Sequence, residues 1–340
     1  MPIINKNINE VRHKDERDEV YTLYEDIAAE LPKYIDQLKD KRIICPCDWD
    51  ESFDEKIVYK SEEFIEAANP TLFNNGGTVK EIDFKKTNLN NVSLIKCNFV
   101  KFLITHAEEY KIKSISVSGY NPNLDKGVKF QDIDYSKYDL VITNPPFSQF
   151  IEFINLMFEN KKQFLVIGPQ LAIGYKDIFK FIKANKMWLG YNYHLTGFIK
   201  ADGTILNKND SLPRCCCWFT NLKVSYRNDI QILTETYSPE KNPKFVNYDA
   251  ILVHKSKRVP CDYEGEMCVP LTFLQIYNPK QFELIGSTLE LANPIANYVE
   301  ADAEYSKGGP AFYLKVGPKK YKRHFLSIVV KNKKVVKDDD

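Results

Sequence analysis

Between about residue 42 and residue 185 the chain alternates short apolar runs with amphipathic stretches, and that alternation limits the folds open to it. The apolar runs are Arg42–Cys47, Lys113–Ser118, Tyr138–Thr143 and Gln163–Gly168. The stretches between and after them, 97–110, 148–159 and Tyr175–Ala184, carry apolar residues at helical spacing. Runs of that kind read as buried strands and the striped segments as helices. Strand and helix in alternation predict an α/β fold with a doubly wound parallel sheet. Upstream, Tyr21, Tyr24, Ile27, Ala28 and Leu31 predict a helix over 17–31, interrupted at Pro32, with a further turn over Lys33–Leu38. Residues 50–95 are polar and weakly patterned, with a turn at Asn74–Gly77, and read as an insertion. Beyond 185 the pattern is mixed. Cys215–Phe219, Lys223–Tyr226 and Phe325–Val330 read as strands, and 271–285 as irregular around Pro279. Residues 1–15 are polar and expected to be loose.

In an open α/β sheet, ligands bind beyond the carboxyl ends of the strands. Two such ends stand out: Cys45-Pro46-Cys47-Asp48 and Asn144-Pro145-Pro146-Phe147. Two consecutive prolines can neither continue a strand nor donate hydrogen bonds, so the chain leaves the sheet stiffly after Asn144. The Asn144 amide and the backbone carbonyls become fixed acceptors, with the flat face of Phe147 beside them. This pattern suits one chemistry. An exocyclic amine on a nucleobase is a poor nucleophile because its lone pair is delocalised into the ring. If the Asn144 side-chain oxygen and the Pro145 carbonyl each accept one N–H, the lone pair is localised and the nitrogen is aimed at an activated methyl group. Phe147 stacks on the base, which must leave the duplex to arrive there. No cysteine nucleophile and no metal are required. A plain strand ending in a Pro-Pro turn is the competing reading.

Composition narrows the class further. The 340 residues carry 47 Lys and Arg against 46 Asp and Glu, so a globally basic nucleic-acid binder is excluded. The charge is uneven: residues 9–66 hold 18 acidic side chains, whereas 307–337 hold ten Lys and Arg and no acid. Such asymmetry marks either a nucleic-acid contact region or a solvated tail. No apolar run of about 18 residues is present to span a membrane. The first 21 residues lack the apolar core of a secretory leader, and a cytoplasmic location is expected. The eight cysteines are spaced as C-P-C, C-C-C, a lone Cys97 and the pair Cys261 and Cys268, which is no zinc pattern. They read as reduced core thiols. The five histidines are scattered.

Taken together, these segments resemble the EcoRI-type adenine-specific DNA methyltransferases. The resemblance runs from Asp18 to about Ser287. It is carried by DEVYT at 18–22, CPCDWD at 45–50, CNFVKFL at 97–103, ITNPPFSQF at 142–150 and the stretch 164–191. WFTNL at 218–222, NYDAI at 247–251 and the long run 259–286 complete it. NPPF is shared by many methyltransferases, whereas 247–286 is far more specific.

The resemblance implies a Rossmann-like fold that uses S-adenosyl-L-methionine. It places a catalytic domain over 16–222 and a mixed α+β target-recognition region over 223–340. Tyr21 and Thr22 match a cofactor-lining motif, and Cys45, Cys47 and Asp48 match the turn at the methionine end of the cofactor. Asn144, Pro145, Pro146 and Phe147 match the catalytic tetrad. Trp218 matches an aromatic position near the flipped base, with a plain core tryptophan as the alternative. The first-strand turn has no glycine, and the second strand ends in Ser118-Gly119-Tyr120-Asn121 without the usual ribose carboxylate. Asp132 or Asp134 fills the acidic position that meets the cofactor adenine, and Asp132 is taken here. Duplex DNA is the implied partner, with Lys315, Lys319, Lys320, Lys322 and Arg323 as its backbone contacts. The chain is expected to act as a monomer, and a cognate restriction endonuclease acting separately is among the partners the resemblance admits. The competing functions are an RNA or protein-glutamine methyltransferase on the same fold, and a DNA-binding relative that has lost its cofactor.

Overall fold

The computed structural model describes residues 20–49, 55–64, 78–121, 126–200 and 202–334. The loose segment expected over 1–15 lies outside the described residues. The chain divides into two compact units. The first comprises 1–169 and 189–222, and the second 170–188 and 223–340.

Strands are numbered in chain order through the first unit: β1 (Val20–Thr22), β2 (Arg42–Cys45), β3 (Tyr59–Phe64), β4 (Thr78–Ile82), β5 (Ser114–Val117), β6 (Tyr120–Asn121), β7 (Lys126–Gly127), β8 (Leu140–Thr143), β9 (Gln163–Pro169), β10 (Trp188–Leu189), β11 (Gly197–Lys200), β12 (Ile205–Asn207) and β13 (Cys216–Thr220). An eight-stranded sheet has the order β10-β13-β9-β8-β2-β5-β4-β3. Its four central strands are parallel. Strands β13, β4 and β3 are antiparallel to their neighbours, so the sheet is mixed. The apolar runs became the strands buried on both faces: Leu140, Val141 and Ile142 of β8 and Phe164 to Ile167 of β9 are all 0% exposed. The stretch read as an insertion contributes β3 and β4, which extend the sheet beyond β5.

Helix Phe150–Glu159 buries Phe150, Phe153, Ile154 and Met157, one face of a regular helix. Phe150 lies over Gly168 of β9, where an added Cβ would stand 2.2 Å from the ring. We therefore expect Gly168→Ala to cost about 1–3 kcal/mol of stability by overpacking, measurable by urea denaturation. At the amino ends of β2 and β8, the Arg42 Nε and Nη2 donate to both oxygens of Asp139, at 3.0 and 2.8 Å. The Arg42 hydrogen bonds hold the Asp139 carboxyl down at about 2.

The helix expected over 17–31 is corrected. Val20–Thr22 is a strand and the helix runs only from Tyr24 to Glu30. The cause is tertiary: β1 pairs antiparallel with β11, Val20 opposite Lys200, in a separate three-stranded sheet β1-β11-β12. Two buried carboxylates secure that arrangement. Asp26 accepts the Thr196 N–H at 2.9 Å, and Glu30 accepts from the Tyr34 hydroxyl and the N–H groups of Tyr191 and Asn192 at 2.7–2.8 Å.

The second unit contains β14 (Ala250–Leu252), β15 (Glu266–Pro270), β16 (Phe282–Ser287), β17 (Glu304–Tyr305), β18 (Tyr313–Lys315), β19 (Lys320–Arg323) and β20 (Ser327–Asn332). These form a four-stranded sheet β14-β15-β20-β16 and a three-stranded sheet β17-β19-β18. Three expectations change here. Lys223–Tyr226 is not a strand, and 271–285 is not wholly irregular, since it holds a short helix (Phe273–Ile276) and the start of β16. The helix Lys176–Lys183 forms where expected but belongs to this unit. Lys183 Nζ donates to the Ile285 carbonyl at 2.9 Å, and Ser287 Oγ to that of Gly174 at 2.8 Å.

Candidate active site

The order of strands reverses around β2: the chain passes from β2 to β5 on one side and returns to β8 on the other. Such a reversal opens a crevice at the carboxyl ends. The two motifs singled out in the sequence stand there, one after β2 and one after β8.

Asn144 follows β8 directly. Its Nδ2 donates to the Val20 carbonyl of β1 at 2.8 Å, while its Oδ1 is buried and has no hydrogen-bond partner. Pro145 and Pro146 lead into a 3₁₀ turn, Phe147–Gln149, closed by the Gln149 N–H on the Pro146 carbonyl at 3.0 Å. Phe147 is half-buried and rests edge-on against Phe198 of β11, with centroids 6.1 Å apart.

On the β2 side, Asp48 is 5% exposed. Its Oδ2 accepts from Thr143 Oγ1 at 2.6 Å, and its Oδ1 from Cys97 Sγ at 3.2 Å. Burial pushes the Asp48 carboxyl up to about 7, against the pull of these two donors. Burial likewise raises the Cys45, Cys47 and Cys97 thiols, which stay protonated. The Asp48 and Trp49 N–H groups both donate to the Ser118 carbonyl at the end of β5, at 3.0 and 3.2 Å.

Three more buried polar atoms lack partners: Thr22 Oγ1 at the end of β1, Trp49 Nε1 in the turn after β2 and Ser118 Oγ just after β5. A buried unpartnered polar group costs about 1–3 kcal/mol, so a cluster of them marks groups shaped for a ligand. Thr22 is 2% exposed and its carbonyl accepts Asn98 Nδ2 at 2.8 Å. Tyr21, its neighbour on β1, pairs with Ile199.

Not every expected residue joins this group. Asp132, itself exposed, ends a 3₁₀ turn before β8, and no hydrogen bond ties it to Asp48 or Asn144 among the described residues. Asp134 caps the next turn, accepting the Ser136 N–H and hydroxyl, which hold its carboxyl low. Trp218, on β13, is fully buried and edge-on to Phe99 at 5.7 Å, the packing of the core-tryptophan alternative, and its Nε1 has no hydrogen-bond partner.

Sequence reading missed Cys97, Asn98, Thr143 and Ser118 as site residues. Asn98 left a signal, as a polar side chain at the start of a strongly apolar helix, Asn98–His106, where it is 5% exposed.

In the second unit, the five basic candidates divide. Lys319 is ion-paired with Asp302, and Lys320 with Glu304 at 3.3 Å. Arg323 Nη2 donates to the Gly309 carbonyl at 3.1 Å. Lys315 and Lys322 are exposed and pair with no acid among the described residues. The described residues contain no cluster of His, Cys, Asp and Glu able to hold a metal, and no helix among them is long and apolar enough to cross a membrane.

The profile of a family described as adenine-specific methyltransferase EcoRI matches residues 7–333. The chain belongs to that family. This EcoRI-family methyltransferase is 36% identical over 303 residues to the type II methyltransferase M.EcoRI of Escherichia coli, covering 83% of this chain and 89% of the relative. It is 35% identical over 304 residues to the type II methyltransferase M.MpnI of Mycoplasma pneumoniae, covering 83% and 85%. It is also 33% identical over 304 residues to M.MgeORF184P of Mycoplasma genitalium, covering 83% and 86%. No solved structure matches the chain.

Proposed function

We propose that this family member methylates the N6 amine of adenine at a defined site in duplex DNA, with S-adenosylmethionine as the methyl donor. One observation carries the reading: the Asn144 oxygen is buried, unpartnered and held by an anchored amide at the carboxyl end of β8. An acceptor prepared in this way suits a group that arrives with an N–H.

The strand order around β2 supports assigning the first unit as a Rossmann-like methyltransferase domain and the second as the target-recognition region. The residues present fit the donor. Thr22 Oγ1, Ser118 Oγ and Trp49 Nε1 are the orphaned groups its polar atoms would satisfy, and Tyr21, Cys45 and Cys47 border the same strand ends. When bound, S-adenosylmethionine supplies an electrophilic methyl group. The chain's own part is positioning. Asn144 Oδ1 accepts one N–H of the adenine amine, which localises the nitrogen lone pair, and Phe147 stacks on the extrahelical base. No enzyme nucleophile takes part, since the nearby thiols are held protonated by burial.

The test is long-read sequencing of DNA from cells expressing the wild-type chain. Modified adenines at a single motif support the reading. Unmodified DNA, with methyl transfer to RNA or protein glutamine instead, overturns it.

For the DNA surface, the cations without an acid partner among the described residues should matter more than those in ion pairs. Charge reversal of Lys315, Lys322 and Arg323 is expected to weaken DNA binding and to lower the salt slope by about one for each phosphate no longer neutralised. Reversal of Lys319 and Lys320, already opposite Asp302 and Glu304, should do less. Affinity measured across a salt series checks this, and an affinity unchanged by the reversals would place the surface elsewhere.

A further inference from the structure

We propose that Asp48 is a positioning residue for Asn144: it faces inward and holds the catalytic strand end, and it does not contact the methyl donor. The inference rests on the function proposed above and deepens it. Each Asp48 oxygen already holds a donor from within the protein, one Thr143 and the other Cys97, and the residue is only 5% exposed.

The hydrogen bonds close a ring around Asn144. Asp48 holds the hydroxyl of Thr143, and Thr143 is joined by its peptide to Asn144. The Asn144 amide holds the Val20 carbonyl, and two residues along β1 the Thr22 carbonyl is held by Asn98. Asn98 is joined by its peptide to Cys97, whose thiol returns to Asp48. The Asp48 N–H ties in a third strand end by donating to the Ser118 carbonyl just after β5. Asn144 is thus fixed through its side chain and through the residue before it, while two prolines stiffen the chain after it. Its free oxygen has little room to wander.

A buried carboxylate without a cation beside it burdens a fold, and no described ion pair includes Asp48. Ordinary core packing at this position would be met better by an apolar side chain. The arrangement makes sense if a strong, fixed acceptor is needed to keep Thr143 in one place. Cys97, N-terminal cap of helix Asn98–His106, serves as the second donor.

The decisive measurement is the single-turnover methyl-transfer rate set beside S-adenosylhomocysteine affinity by calorimetry. Thr143→Val keeps the shape and removes the hydroxyl. A displacement of about 1 Å in a reacting group can cost on the order of 100-fold, so we expect a rate loss of about that size with affinity changed less than about twofold. Thr143→Ser, which keeps the hydroxyl, should recover most of the rate. Asp48→Asn should lose rate and keep affinity, as Thr143→Val does. A wild-type rate in Thr143→Val overturns the inference. So does affinity that falls in step with rate, which would place Asp48 in the donor site. A wild-type chain that neither binds S-adenosylhomocysteine nor methylates DNA overturns the functional reading and this inference with it.

Discussion

Asn144→Ala is expected to lower methyl transfer by at least about 10²–10³-fold, the range seen when one prepared hydrogen-bonding group of a transition state is removed. The fold should survive. The substitution removes a single hydrogen bond, Nδ2 to the Val20 carbonyl, worth about 1 kcal/mol. Circular dichroism should therefore match wild type and the thermal midpoint should fall by about 2–4 °C at most, while DNA from cells carrying the variant loses its modified adenines. S-adenosylhomocysteine affinity should be nearly unchanged, because Thr22, Ser118 and Trp49 remain. Near-normal turnover in this variant would leave the assigned role of Asn144 untenable.

Asp48 should leave a second large mark, on stability against pH. Burial raises its carboxyl from an ordinary carboxylate value to about 7 in the folded chain. The native state therefore binds one more proton than the unfolded state between about pH 4 and pH 7. The contribution is fully present below pH 4 and is lost as pH rises through 7. The difference is roughly 4 kcal/mol, at about 1.4 kcal/mol for each unit by which the two states differ. The neighbouring titratable groups, Cys45, Cys47 and Cys97, are all pushed upward and stay neutral over this range. Urea denaturation of wild type and Asp48→Asn at pH 5, 6, 7 and 8 should show the variant gaining on wild type at each step. Parallel curves would mean that Asp48 is already ionised at pH 5. Together with the expected rate loss in Asp48→Asn, such a gain would separate function from stability at one residue. A carboxylate whose removal eases the fold at high pH is not there as packing.

Much of the site was legible along the chain. The apolar run ending at Thr143 and the prolines after Asn144 marked a strand end that leaves the sheet. The C-P-C-D turn marked the neighbouring end. The central strands and helices formed close to their expected bounds, because burial on both faces of a parallel sheet leaves a continuous apolar run. Other features could not be read. Trp218 has the same sequence neighbourhood whether it faces a base or the core, and its edge-on packing against Phe99 is visible only in the tertiary structure. Asp132 and Asp134 are two residues apart, and only the Ser136 contacts show that Asp134 is already engaged. Lys319 and Lys322 are both exposed strand-edge lysines, yet an acid stands opposite one of them and not the other.

The sequence by itself determined the alternating α/β core, the stiff exit after Asn144 and the family, since periodicity and proline's missing N–H are properties of a few adjacent residues. The tertiary structure alone decided that Val20–Thr22 would be a strand, because its ladder partner Gly197–Lys200 lies far along the chain. It also decided that 170–188 would join the second unit, and that Asp48, Thr143 and Cys97 would meet. The physical reason is the same in each case. A hydrogen bond or packing contact between distant residues can override local propensity, and local propensity is all that a short stretch of sequence records.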